Sequence, residues 1–330
     1  EVPKFRWEHC VKCQQRISTE NLKDAHELQS YFIKRIEQFL NNNGRQIIGW
    51  DEILEGGLAP GATLQSWRRF DGCLEAISQG HHAIVSPTSH AYFDYDLNQI
   101  DLKKVYSFNP VPKKATYEES QLILGGECNM WSERAPQHKV DSKVFPRMLA
   151  MAEVLWSDSL TRSYSEFNER VQFQYEVLDV LDVDYGFENI PVEVNTGMQD
   201  GQLVAVLSSY DQGLEISYTV DGNEGGPYST PIPITDSRLL NITFSRNGRV
   251  YSDTIKQQLT SHKALARIPS INEEFSPNYT AGGAHGLTDG KKGSSNFRDG
   301  NWQGYWGPDI EMVIDLDSTV SLSYFNAGFL

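Results

Sequence analysis

LILGGECNMWSE, residues Leu122 to Glu133, begins as a short apolar run, passes a Gly125-Gly126 break and ends on Trp131 and Glu133. A short apolar run bounded by glycines predicts a buried strand. Trp131 and Glu133 then stand just past its C-terminal end. An indole beside a carboxylate suits a sugar: the ring covers the apolar face of a pyranose, and the carboxylate accepts hydrogen bonds from its hydroxyls. A core tryptophan next to a surface glutamate is the simpler account of this pair alone. The argument for a site comes from repetition.

Three other stretches repeat the pattern: RQIIGWDEIL (Arg45 to Leu54), ATLQSWRRF (Ala62 to Phe70) and HAIVSPTSHAYFDY (His82 to Tyr95). Each is a short apolar run that ends in aromatic or acidic residues, and amphipathic segments lie between them. Strands alternating with helices predict βαβ units and a parallel sheet. In a (β/α)8 barrel the site lies at the C-terminal ends of the strands. Trp50, Trp67, Tyr92, Asp94, Trp131 and Glu133 are then expected on one rim.

The bulk properties fit such an enzyme and exclude other classes. The chain has 330 residues, of which 39% are hydrophobic and 22% charged, so it is globular and long enough for two or three domains. Its net charge is −15, from 29 Lys and Arg against 44 Asp and Glu, which argues against a nucleic-acid or anionic-membrane partner and fits a neutral substrate. No apolar run is long enough to span a bilayer. The first residue is Glu1 and no signal peptide precedes it, so the chain is expected to be a processed product or a fragment. Cys10 and Cys13 form a lone C-x-x-C, which fits a redox pair, half of a zinc site, or a local structural role such as a disulfide. Cys73 and Cys128 are isolated and do not complete a zinc site, so the structural role is favoured.

Taken in order, Glu1 to Ile17 reads as a loop, and Ser18 or Thr19 as the cap of a helix carrying Leu22, Ala25, Leu28, Phe32, Ile36, Phe39 and Leu40. Gly44 is its expected C′ residue. A short helix is expected at Gly72 to Gln79, another at Val144 to Trp156, and a third at Tyr164 to Leu181. Arg147 and Glu153 read as braces of the barrel. Near Asp184 the pattern changes to short alternating segments with Asp221-Gly222 and Asn247-Gly248 hairpin signals. Residues 184–261 therefore predict a small β-sandwich. Residues 262–330 are rich in glycine and aromatics, including Trp302, Tyr305 and Trp306, and stop in strand-like sequence, so a truncated third β domain is expected.

GWDEI at Gly49 to Ile53, SWR at Ser66 to Arg68, SPTSHAYFDY at Ser86 to Tyr95, and GGECNMWSE followed by FPRMLAMAEVLWS resemble glycoside hydrolase family 20, the β-N-acetylhexosaminidases, most closely the bacteroidete type. The resemblance covers Glu1 to about Leu181, assigned as 1–183, the C-terminal half of the barrel. Residues 184–261 are similar to the small β-domain that follows it, and 262–330 to the start of a discoidin-type module. The family's catalytic motif is His-x-Gly-Gly-Asp-Glu. The opening EVPKFRWEHC resembles its continuation, so Glu1 matches the general acid. The Asp that precedes this Glu in the family is absent from the chain, as are the first four barrel strands.

The resemblance implies substrate-assisted retaining hydrolysis of terminal β-linked N-acetylhexosamine, in which the 2-acetamido oxygen attacks C1 and gives an oxazolinium. Glu1 is implied to protonate the leaving oxygen and then activate water. Tyr92 is implied to donate to the acetamido oxygen. Trp50, Trp67 and Trp131 are implied as pocket walls, and Asp94 and Glu133 as acceptors for sugar hydroxyls. No cofactor or metal is implied. The implied partners are N-acetylhexosamine glycans, the location is the periplasm, the medium or the cell surface, and the oligomeric state stays open. Four strands cannot close an eight-stranded barrel of typically ~250 residues, so residues 1–330 alone are expected to be inactive. The rival reading is a non-catalytic carbohydrate-binding or adhesion protein. It accounts for Trp302, Tyr305 and Trp306 but not for the four motifs.

Overall fold

The computed structural model describes residues 4–251, 253–307 and 309–329, and it divides into two compact units, Glu1–Asn189 and Ile190–Leu330. The first unit opens with α1 (Lys4–Glu8), α2 (Val11–Thr19) and α3 (Ala25–Asn42). The stretch expected as a loop is therefore largely helical, and Ser18 and Thr19 end one helix instead of capping the next. Asn21 takes a left-handed φ of 53° and separates the two. Asp24 caps α3, its carboxylate accepting from the backbone N–H of His26 and Glu27, an arrangement worth ~1 kcal/mol. Gly44 lies just beyond the C-cap with φ 67°, as expected.

The buried face of α3 carries polar side chains that grip backbone. Gln29 Nε2 donates to Glu52 O (2.6 Å), Ser30 Oγ donates to Gly57 O (2.6 Å), and Glu37 Oε1 accepts from Gly61 N (2.5 Å). Phe32 and Phe39 are exposed instead. The apolar period is a true helix signal and marks the docked face in part: Ala25 and Leu28 are buried and Leu40 packs on the core, while Phe32, Ile36 and Phe39 fall outside it. Gly56 shows how close the docking is: a Cβ there would sit 2.2 Å from the carbonyl oxygen of His26.

The four apolar runs become four strands: β1 (Ile48–Trp50), β2 (Thr63–Ser66), β3 (Ala83–Val85) and β4 (Ile123–Gly126). They are parallel and adjacent in chain order, with Gly49 opposite Leu64, Gln65 opposite Ile84 and Val85 opposite Gly126. The helix α4 (Asp71–Ser78) crosses from β2 to β3, and α5 (Leu102–Tyr106) and α6 (Tyr117–Ser120) lie between β3 and β4. Leu64, Ala83 and Val85 are fully buried, as strands covered on both faces require. Ile47, Ile53, Ala62, Leu64 and Ala76 form one core cluster, with Ile33 and Leu40 of α3 packed on it.

The unit ends with α7 (Val140–Val144), α8 (Arg147–Trp156) and α9 (Tyr164–Val180). The expected single helix from Val144 to Trp156 is broken at Phe145-Pro146. A residue before proline is pushed out of the helical region, and Phe145 is extended at φ −103°, ψ 137°.

The second unit is antiparallel. The strands β5 (Glu193–Gln199), β6 (Gln202–Ser208), β7 (Leu214–Val220), β8 (Glu224–Pro227), β9 (Ile232–Ile234), β10 (Ser237–Arg246), β11 (Arg249–Val250) and β12 (Ile255–Thr260) form a sheet β5-β6-β9 and a second sheet built on β10, β7 and their neighbours. Both hairpin signals sit where expected. Asp221-Gly222 (φ 51° and 79°) joins β7 to β8, and Asn247-Gly248 (φ 53° and 80°) joins β10 to β11, the pair of positive angles a tight hairpin needs. Beyond Thr260 the only paired strands among the described residues are β13 (Ser270–Ile271) and β14 (Met312–Val313).

Candidate active site

The C-terminal ends of β1 to β4 carry the aromatic and acidic residues of the four motifs. β1 ends at Trp50, and the chain turns into a 3-10 helix at Asp51–Leu54. Asp51 is buried, and its Oδ2 accepts the backbone N–H of Trp67 (2.9 Å) and Arg68 (2.8 Å), just past β2. Glu52 accepts from the Trp67 indole N–H (3.2 Å) and from the Arg68 guanidinium (2.8 Å), while that guanidinium lies 5.5 Å from the Trp67 ring centroid. The acidic turn after β1 thus fixes both the backbone and the side chain of Trp67. Behind it, Gly72 of α4 is obligatory, because a Cβ there would come within 2.1 Å of Asp51 Oδ1.

Below this layer Gln65 of β2 spans three strand ends, donating to Glu127 Oε1 (2.8 Å) and to Ser86 Oγ (3.3 Å). The loops after β3 and β4 are joined by backbone. Tyr92 bridges Asn129 in parallel, Phe93 N donates to Asn129 O (2.8 Å), and Asn129 N donates to Ala91 O (2.7 Å). Arg147 of α8 braces the post-β3 loop from behind. Its buried guanidinium donates to Phe93 O (2.5 Å), Tyr95 O (2.9 Å), Ile100 O (2.9 Å) and Lys143 O (2.9 Å). Glu153 also braces, accepting from Tyr106 Oη and from Arg170.

These contacts bring five of the sequence-derived residues together. The rings of Trp50 and Trp131 lie 6.1 Å apart, and those of Trp67 and Tyr92 6.3 Å apart. The first pair follows the outer strands of the sheet, which in a flat sheet would be ~14 Å apart, so the rim curls inward over the strand ends. Tyr92 is 7% exposed. Burial pushes its hydroxyl up to about 12, against a smaller opposing effect of the hydrogen bond from the Trp131 side chain. At neutral pH it is therefore a protonated phenol, able to donate. Burial also raises the Asp94 carboxyl above the usual range, while local backbone N–H groups, Arg134 and Lys143 pull it back. Asp94 Oδ1 and Asn129 Nδ2 are buried without a hydrogen-bond partner. Such orphan groups are uncommon in folded proteins, and Asp51 Oδ1 in the turn after β1 is a third. Trp131 is 43% exposed, and Glu133 is exposed in the turn that follows it, with no contact that ties it to the other five. Glu1 lies outside the described residues.

Sequence reasoning missed Asp51, Glu52, Gln65, Asn129 and the bracing carbonyls of the post-β3 loop. GWDEI contains the first two, but their partners become visible only once the 3-10 turn is folded against the next strand. A shallow, open depression lined by Asn41, Gly44, Arg45 and Gln46 lies near the opposite end of β1 and holds none of these residues. Among the described residues no group of three or more His, Cys, Asp and Glu is placed to hold a metal ion.

Residues 1–159 match the model of the glycosyl hydrolase family 20 catalytic domain. A β-hexosaminidase of Porphyromonas gingivalis is 33% identical over 273 residues, which is 76% of this chain and 35% of that protein. A β-N-acetylhexosaminidase structure from Bacteroides fragilis aligns at TM-score 0.52 and 27% identity, covering 57% of this chain and 41% of that one. A family 20 exo-β-N-acetylglucosaminidase structure from Vibrio harveyi, in complex with N-acetylglucosamine, aligns at TM-score 0.52 and 26% identity, covering 57% and 32%. The chain spans about a third of the length of the curated relatives it matches. The first unit is an α/β domain of the TIM-barrel type.

Proposed function

We propose, from the match of residues 1–159 to the family 20 glycosyl hydrolase catalytic domain, that the whole protein hydrolyses terminal β-linked N-acetylhexosamine from glycans. The observation that carries the reading is the rim itself. Three indoles, a protonated phenol and a carboxylate with an unpartnered oxygen meet at the ends of adjacent parallel strands. Trp50, Trp67 and Trp131 wall the sugar. Asp94 and Glu133 accept from its hydroxyls, through charge-assisted bonds that are stronger than neutral ones. Tyr92 donates to the acetamido oxygen and holds it below C1, where it attacks as the leaving oxygen is protonated. Glu1 supplies that proton by its match to the family motif. The same reading takes β1 to β4 as the C-terminal half of a (β/α)8 barrel, supported by their sequential parallel order. It takes residues 184–261 as a β-sandwich and 262–330 as a discoidin-type module, supported by the antiparallel pairing after Ile190. Action on external glycans fits a periplasmic or cell-surface location.

The test uses the full-length protein and two aryl glycosides, one of N-acetylglucosamine and one of glucose. Hydrolysis of the first, with at most trace hydrolysis of the second, is expected, because glucose lacks the internal nucleophile. Tyr92→Phe should lower kcat by roughly tenfold or more, the scale of losing one positioned donor. Equal rates on the two glycosides would refute substrate assistance. Sugar binding without any hydrolysis would favour the binding-protein reading.

A further inference from the structure

Cys10 and Cys13 take no part in the sugar chemistry, yet α2 places them in a particular relation. Cys10 is the N-cap of α2, extended at φ −89° and ψ 115°, and its carbonyl accepts the first helical bond from Gln14 N (2.9 Å). Cys13 is then the third helical residue. N-cap and third-residue side chains face each other across the first turn, as in a capping box, and here both are free thiols. Their Cα atoms are one helical turn apart, inside the ~4.4–6.8 Å range a disulfide accepts. Both side chains are half-buried and reachable by solvent. No cap hydrogen bond is formed. The Cys13 backbone N–H and thiol nevertheless face the Cys10 sulfur and lower its pKa, with a smaller contribution from Lys12. The same contact raises the pKa of Cys13. The other two cysteines are unlike them: burial pushes Cys73 up to about 12 and also raises Cys128.

We propose that Cys10 and Cys13 form a reversible dithiol–disulfide site, with Cys10 as the attacking sulfur and Cys13 as the resolving one. The co-reactant is a low-molecular-weight disulfide, RSSR. The Cys10 thiolate attacks one sulfur of RSSR, a mixed disulfide forms, and RS⁻ leaves. Cys13 loses its proton to water and attacks Cys10 Sγ, and the second RS⁻ leaves. Two thiols are oxidised to one disulfide, RSSR is reduced, and the two thiolates take up protons to give two RSH. The bond would clamp the junction of α1 and α2, where Cys10 N and Gln14 Nε2 already donate to Trp7 O (3.3 and 3.1 Å).

The full chain is incubated in oxidised glutathione, quenched with acid, alkylated and digested with trypsin without reduction. Cleavage after Lys12 separates Trp7–Lys12 from Cys13–Arg16, so the two peptides share one mass only when the sulfurs are bonded. That joined mass is expected, and dithiothreitol should abolish it. In the reduced protein, limiting iodoacetamide at pH 7 should label Cys10 at least about fivefold faster than Cys13. Cys13→Ser should trap glutathione on Cys10. Separate alkylated peptides under oxidising conditions would overturn the proposal. So would a glutathione adduct that persists on Cys10 in the unsubstituted protein, because Cys13 would then fail to resolve it. The wild-type peptide map decides the matter even if a variant fails to fold.

Discussion

Arg147→Met tests whether one buried cation holds the post-β3 loop in register. The guanidinium donates to four carbonyls, three of them on the loop that carries Tyr92 and Asp94. Burial lowers its pKa to about 10, but it remains charged at neutral pH. Methionine fills similar volume and removes every donor, while the carbonyls of Phe93, Tyr95 and Ile100 stay in place. Each stranded carbonyl costs ~1–3 kcal/mol. The contributions do not add fully, because removing the charge also ends its own desolvation cost. A net loss of roughly 3–5 kcal/mol is expected, a large share of the ~5–15 kcal/mol that holds a domain folded. With a urea slope of ~2–3 kcal/mol/M, the unfolding midpoint should fall by about 1–2 M. Native-state hydrogen exchange locates the damage. The amides of Phe93 and Asn129, which pair the two site loops, should exchange faster before global unfolding does. Arg147→Lys should be intermediate, since one ammonium cannot reach all four carbonyls. An unchanged midpoint in Arg147→Met, with unchanged exchange at those two amides, would refute the bracing argument.

Glu52→Gln keeps the shape of the acidic turn but weakens its hold on the Trp67 indole and Arg68. It should raise KM several-fold, on the scale of ~1 kcal/mol per weakened charge-assisted bond, with kcat nearly unchanged; a fall confined to kcat would contradict it. Asp94→Asn should stabilise the fold while weakening sugar binding. The folded carboxyl is raised above its usual 3.8, so the wild type loses stability as pH rises through the window above that value. Asparagine is spared that loss, and melting curves at pH 3 and pH 7 should diverge at the higher pH. Burial lowers His90 to about 4 from its usual 6.5. Its stability contribution is then complete above 6.5 and lost as pH falls toward 4, so His90→Phe should flatten that acid limb in a melting-temperature series.

The four strands and the rim residues were legible because each motif couples an apolar run to an aromatic or acidic ending, and parallel topology puts all such endings on one side. α1 and α2 were not legible. VKCQQRIST is mostly polar and buries none of its residues, so its helix is positioned by backbone capping at its C-terminal end and by contacts with α3. The docking face of α3 was legible only in part, for a related reason: Ala25, Leu28 and Leu40 mark it, but its polar members do not show. Gln29, Ser30 and Glu37 are buried because backbone donors and acceptors of the β1–β2 connection happen to lie opposite them. Sequence alone gives no view of those partners. Asn129 shows the same limit, since its role rests on pairing with Tyr92 across 37 residues of chain.

That bridge limits how the site could be re-engineered or diversified. Barrel enzymes are commonly imagined as rigid cores with interchangeable loops, each free to be exchanged for a relative's version. Here the segments after β3 and β4 share a short stretch of backbone pairing through Tyr92, Phe93 and Asn129. A graft of either segment alone would bring in one half of a two-stranded contact and leave the other without its match. The unit of exchange is therefore the pair, and chimaeras joined between the two segments should fail more often than chimaeras that carry both across together.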